Sequence, residues 1–151
     1  MKFEIRDPHY DERVRASFAR QRAMQTLGVS IRRLAPGEIE LEMPYDLAYT
    51  QQHGFMHAGI VTTALDSACG YAAFSLMPAD SAVLTVEFKT NLIAPAKGDH
   101  FAFRAQVVKP GRTLTVCDAR AFATDQGDKE RLIATMTGTI MAVFDRDGVT
   151  H

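Results

Sequence analysis

The sequence predicts an α+β fold, a curved antiparallel sheet of about six strands wrapped around one long central helix, with a short helix at the N-terminal side. Three observations carry this expectation. Residues 58–77 form a run of small and apolar side chains that holds a single charge, Asp66. After Pro78 the apolar positions recur at every second residue. Between these alternating segments stand turn-forming groups, Pro95-Ala96-Lys97-Gly98-Asp99, Lys109-Pro110-Gly111-Arg112 and Gln126-Gly127-Asp128-Lys129.

Taken in order, Asp11 to Leu27 reads as a surface helix. Val14, Phe18 and Met24 share one side, while Arg13, Arg15, Arg20 and Arg22 stay in water. Gly28 stops it. Val29 to Leu34 is a short strand, Pro36-Gly37 a turn, and Glu38 to Met43 alternates polar with apolar until Pro44. These two strands form a hairpin. A loop from about Pro44 to His57 leads into the central helix, which Pro78 ends. Beyond it, Leu84, Val86 and Phe88 share one face of a strand, and Val83, Thr85, Glu87 and Lys89 the other. Phe101, Phe103, Ala105 and Val107 mark the next strand. Thr113 to Ala123 follows, with Leu114 and Val116 opposite Thr115, Cys117 and Ala119. Leu132 to Phe144 is the last. Hairpin-like connections throughout imply an antiparallel sheet. A helix apolar all round must be covered on most sides, and a curved sheet does this.

The chain of 151 residues fits one domain, 1–151, with room for a core. A net charge of -1 argues against a dedicated nucleic-acid binder. The two cysteines, Cys69 and Cys117, lie in apolar surroundings, as expected of reduced core residues in a cytoplasmic protein. Met1 to Asp7 is too polar for a signal peptide. Residues 58–77 have the length of a membrane span, but Asp66 sits mid-run and Thr62, Thr63, Ser67 and Gly70 dilute it, so a buried helix is expected and no membrane contact.

Asp66 has two readings from the residues alone. It is either a structural acid satisfied by hydroxyls such as Thr62, Thr63 or Ser67, or a carboxylate held for chemistry, because burying an unpartnered carboxylate is costly. His53 and His57 have an i, i+4 spacing, but Gly54 lies between them in a loop, so no metal is expected. No cationic neighbour activates Cys69.

The residues Gln51, Gly54, His57-Ala58-Gly59 and Asp66, with the order of helix, two strands, long helix and four strands, resemble the hotdog-fold acyl-CoA thioesterases. The similarity is strongest to the phenylacetic-acid-degradation type and covers roughly residues 18–144. That pattern has an Asn, a Gly, a His-Gly-Gly opening the helix and an Asp nine positions after the His. A Ser or Thr in the following strand belongs to it, and Thr85 falls there. The segments Ala94 to Asp99 and Lys109 to Arg112 also resemble family connections. This chain departs from the pattern at Gln51, one methylene longer than Asn, and at Ala58, which replaces the first Gly of the pair.

The resemblance implies hydrolysis of an acyl-CoA to free acid and coenzyme A, without metal or other cofactor, by a homodimer or homotetramer. It implies Asp66 as general base or nucleophile. The N–H of Ala58, helped by Gly59, lies at a helix start, where free N–H groups and the helix dipole suit an oxyanion. Eight residues of helix rise span about 12 Å, so Asp66 and the Ala58 N–H do not meet within one subunit. The expected site pairs Ala58 and Gln51 of one subunit with Asp66 and Thr85 of the other. Gln51 holds the carbonyl or orients water, Thr85 bonds the water or Asp66, and His57 braces the loop. Gly54, Gly59, Lys109, Gly111 and Arg112 are expected at the substrate; Lys89, Lys97, Lys109 and Arg112 are either solvated charges or, as a group near strand ends, attract the coenzyme's phosphates. Two rivals remain: a hydratase or dehydratase of acyl thioesters using His57 with Asp66, and a thioester-binding module without turnover, which Gln51 and Ala58 keep open. Hydration of an enoyl-CoA without thiol release marks the first; binding without thiol release marks the second.

Overall fold

A computed structural model describes residues 3–127 and 129–150. Its elements are α1 (Tyr10–Arg20), α2 (Arg22–Leu27), β1 (Ser30–Ala35), β2 (Glu38–Pro44), a 3₁₀ turn (Leu47–Tyr49), α3 (Ala58–Phe74), β3 (Ala82–Leu92), β4 (His100–Lys109), β5 (Leu114–Thr124) and β6 (Glu130–Val143). The strands form one sheet in the order β1-β2-β4-β5-β6-β3, with every neighbouring pair antiparallel. This is the hotdog arrangement, with α3 packed along the sheet. Asp128, in the turn expected before β6, lies outside the described residues, as do Met1, Lys2 and His151.

The alternation in β4 and β5 does what the pattern demands. Phe101, Phe103, Ala105 and Val107 point into the core, as do Thr115, Cys117, Ala119, Ala121 and Ala123. Small residues on α3 let this sheet approach closely, and Ala64, Ala68, Ala72 and Ala73 are all fully buried. The helix is not covered all round. Gly59, Thr62, Thr63, Asp66 and Gly70 form its one open stripe, spaced by three and four residues. No described helix is long and apolar enough to cross a membrane.

Four expectations need correction. The N-terminal helix is two helices, because Gln21 is extended (ψ 96°) and its Oε1 accepts the Ser67 hydroxyl at 3.2 Å. The break turns Met24 and Leu27 into the core beside Val14 and Phe18. The central helix ends at Phe74, before Pro78, where tighter bonds from Leu76 to Ala73 and from Met77 to Phe74 close it. Third, β3 and β4 are not a hairpin. β3 pairs with β6 at the sheet edge and β4 with β2 and β5, so residues 93–99 cross the end of the sheet.

The fourth correction is Arg13, which does not stay in water. Its side chain is 14% exposed and its Nε donates to Asp7 Oδ2 at 2.7 Å; the Asp7 side chain is 6% exposed. Its other nitrogens donate to the carbonyls of Phe74, Met77 and Pro78 at 3.2, 2.7 and 3.1 Å. These carbonyls lie at and beyond the C-terminus of α3, where carbonyls run short of helical partners, and the guanidinium also covers the Phe74 ring at 4.1 Å. Arg13→Met leaves the buried Asp7 carboxylate without its counter-charge and removes three bonds to the end of α3, and the expected loss is about 3–5 kcal/mol in urea unfolding. A loss below about 1 kcal/mol would mean that the pair behaves as a surface ion pair.

Candidate active site

The loop after β2 is fixed from both ends. Gln51 N–H donates to Phe55 O at 2.9 Å and Gly54 N–H to Gln51 O at 3.0 Å, closing a turn in which Gly54 has φ 78°. That left-handed conformation is the reason for a glycine. Tyr45 Oη donates to Gly54 O at 3.1 Å. Met56 N–H donates to Ala96 O and His57 N–H to Tyr49 O, both at 2.9 Å. These bonds set Gln51 beside the start of α3. The Gln51 Oε1 accepts the His53 N–H, which leaves the amide NH₂ as the donor available to a ligand.

His57 caps α3. Its Nδ1 accepts the Gly59 N–H at 2.9 Å, so a neutral ring carries its proton on Nε2. A Cβ at position 59 would crowd that nitrogen at 3.1 Å, which favours glycine there. The Gly59 amide is therefore taken and does not help Ala58 as expected. The Ala58 N–H has no hydrogen bond among the described residues, and Ala58 lines a cleft of about 400 Å³. Gln51, Phe55, Val61, Leu92, Ile93 and Ile133 are among the side chains that line it, and none of its lining residues is ionisable. No local sequence pattern marks these hydrophobic walls beyond the Ala94-Pro95-Ala96 segment.

Asp66 sits midway along α3, half-buried, and its Oδ1 accepts the Thr85 hydroxyl at 2.8 Å. Thr63 and Ser67 donate elsewhere, to Gly59 O and Gln21 Oε1, so the strand rather than the helix supplies its partner. Burial pushes the Asp66 carboxyl above its ordinary value, and the Thr85 bond opposes this in part. The result is a carboxylate held in one orientation and more basic than in water.

A single chain thus brings together Gln51 with Ala58, and Asp66 with Thr85, but not one pair with the other, since about 12 Å of helix separates Ala58 from Asp66. The turn at Lys109, Gly111 and Arg112 lies at the opposite end of α3 from Ala58, beside Leu76 and Met77. Gly111 has a structural reason of its own, because a Cβ there would stand 2.0 Å from Leu114 O. Cys69 and Cys117 are free and buried, and burial pushes both thiols up, as expected of packing residues.

Residues 53–130 match the family model of the thioesterase superfamily. A thioesterase family protein from Silicibacter pomeroyi has 65% sequence identity and a TM-score of 0.88, over 89% of this chain and 98% of that one. A Halobacterium salinarum protein with a provisional esterase name is 36% identical over 97 residues, which cover 61% of this chain and 64% of that protein. The chain spans a little under two thirds of the length of the curated relatives it matches. The E. coli PaaI protein from the phenylacetic acid degradation operon shares 20% identity and a TM-score of 0.79, over 93% of this chain and 96% of that one, which shows a common fold.

Proposed function

This chain belongs to the thioesterase superfamily, a family of thioester hydrolases, and from that premise we propose that it hydrolyses an acyl-CoA to the free acid and coenzyme A, with Asp66 as general base or nucleophile. The observation that carries the reading is the carboxylate of Asp66, raised in basicity by burial and fixed by Thr85 on the open stripe of α3. A base needs both a defined direction and a pKa moved toward the working pH.

The Ala58 N–H and the Gln51 amide supply donors for the thioester oxygen, and they come from a second subunit. Support for a dimer lies in β3. It is a long edge strand whose Leu84, Val86, Phe88 and Leu92 remain exposed, and proteins seldom leave such an edge unpaired. Pairing β3 with its copy lays the open stripes of two α3 helices along one seam. The hydrogen-bond donors of one copy then face Asp66 of the other. Whether two such dimers associate further is a separate question for sedimentation. Buried free thiols fit a cytoplasmic setting.

The cleft carries no ionisable side chain, so the acyl group it takes is uncharged, medium-chain or longer, or aryl. Release of free thiol from a panel of acyl-CoAs tests the reading. Octanoyl-CoA and phenylacetyl-CoA are expected to be cleaved at least about tenfold faster than succinyl-CoA, whose carboxylate would be desolvated. Tight binding with no thiol released from any of them would make the protein a thioester-binding module instead.

A further inference from the structure

Cross-strand partners in an antiparallel ladder point to the same side of the sheet, and this places one aromatic ring beside Asp66. Thr85 lies opposite Ile140, which is fully buried. Phe88 lies opposite Gly138, and Gly138 faces α3, since a Cβ there would meet Cys69 Cβ at 3.5 Å. In a regular strand residues three apart face opposite ways. A β-bulge between Thr85 and Glu87 adds one residue, Val86, and returns Phe88 to the side of Thr85. Both expected faces of this strand are therefore wrong beyond Val86: Phe88 looks toward the helix, and Glu87 and Lys89 look away.

The ring of Phe88 is still 46% exposed. It stands next along β3 from the hydroxyl that holds Asp66, and Cys69, its neighbour across Gly138, is one helical turn from Asp66. We propose that Phe88 is a specificity-determining residue, packing against the acyl group beside Asp66 and selecting aryl and other bulky apolar acyl groups over short ones. This rests on the thioesterase reading. An aromatic ring offers edge-to-face contact to a phenyl group and a large apolar surface to an alkyl chain.

The test is the ratio of kcat/KM for phenylacetyl-CoA to that for butyryl-CoA, in the unmodified protein and in Phe88→Ala, Phe88→Leu and Phe88→Tyr, with the oligomeric state measured alongside. The ratio should fall about tenfold or more in Phe88→Ala, less in Phe88→Leu, and hold in Phe88→Tyr, the scale expected when an apolar pocket loses one contact. A ratio that stays constant across all three variants overturns the proposal and leaves Phe88 as a packing residue, whether or not the assembly weakens. If Phe88→Ala falls apart, the Leu and Tyr variants decide by the same ratio. Failure of the unmodified protein to release thiol from either substrate overturns the thioesterase reading and this inference with it.

Discussion

Asp66→Asn is expected to lower thioester turnover at least about a hundredfold and to leave the fold and oligomeric state unchanged, within the range by which a positioned general base speeds a reaction. Asn keeps the shape and can still accept from the Thr85 hydroxyl, but it neither takes a proton nor attacks a carbonyl. The same substitution raises stability at neutral pH. Burial lifts the folded-state pKa of Asp66 above its unfolded value, so the folded protein holds this proton more tightly than the unfolded chain does. Its contribution to stability is full below the unfolded pKa and is lost as pH rises through the folded one. At neutral pH the ionised group therefore costs stability, and Asn removes that cost. The gain should shrink as the pH is lowered toward the unfolded value of a carboxyl. In the unmodified enzyme, kcat/KM should fall as pH drops through the raised pKa. Thermal melts and pH profiles of both proteins check this; normal turnover by the Asn variant would remove Asp66 from the chemistry.

Ala58→Pro is expected to cost about a hundred- to a thousandfold in kcat, the loss measured when one oxyanion donor is removed. Proline is the one residue that deletes the backbone N–H, and this position accepts it. Ala58 is the first residue of α3, where proline is favoured because that N–H has no partner inside the helix. The preceding residue, His57, is already extended at φ -60° and ψ 138°, as a residue before proline must be. Circular dichroism and melting should therefore be little changed, and a drop in kcat without unfolding isolates the donor. Unaltered kcat would assign the oxyanion to some other group.

The sequence pattern made the central helix and the inward faces of β4 and β5 legible, because each follows from a local period of apolar residues. The positions of Asp66 and Thr85 were also legible, though the bond between them is a contact made only in three dimensions. What stayed hidden depends on distant partners. Arg13 lies on a charged, helical stretch and looks like a solvated residue until the carbonyls at the end of α3 arrive beside it. The break at Gln21 answers to Ser67, 46 residues away. The bulge at Val86 has no glycine or proline to announce it, yet it reverses the faces of half a strand. Position at a helix start makes the Gly59 N–H resemble a second oxyanion donor, but the His57 ring two residues earlier takes it, a contact that only the fold reveals.

The central claim is that each reaction centre is shared by two copies of the chain, and mixing two inactive variants tests it most directly. Asp66→Asn and Ala58→Pro are each unfolded and refolded alone, then together. A dimer of one copy of each has one centre with an intact Asp66 facing an intact Ala58 and one with neither. Co-refolding should restore thiol release to about a quarter of the unmodified rate, since half the dimers are mixed and each has one working centre of two. Activity that stays at the level of the separate variants would contradict the shared site and place both groups in the same subunit.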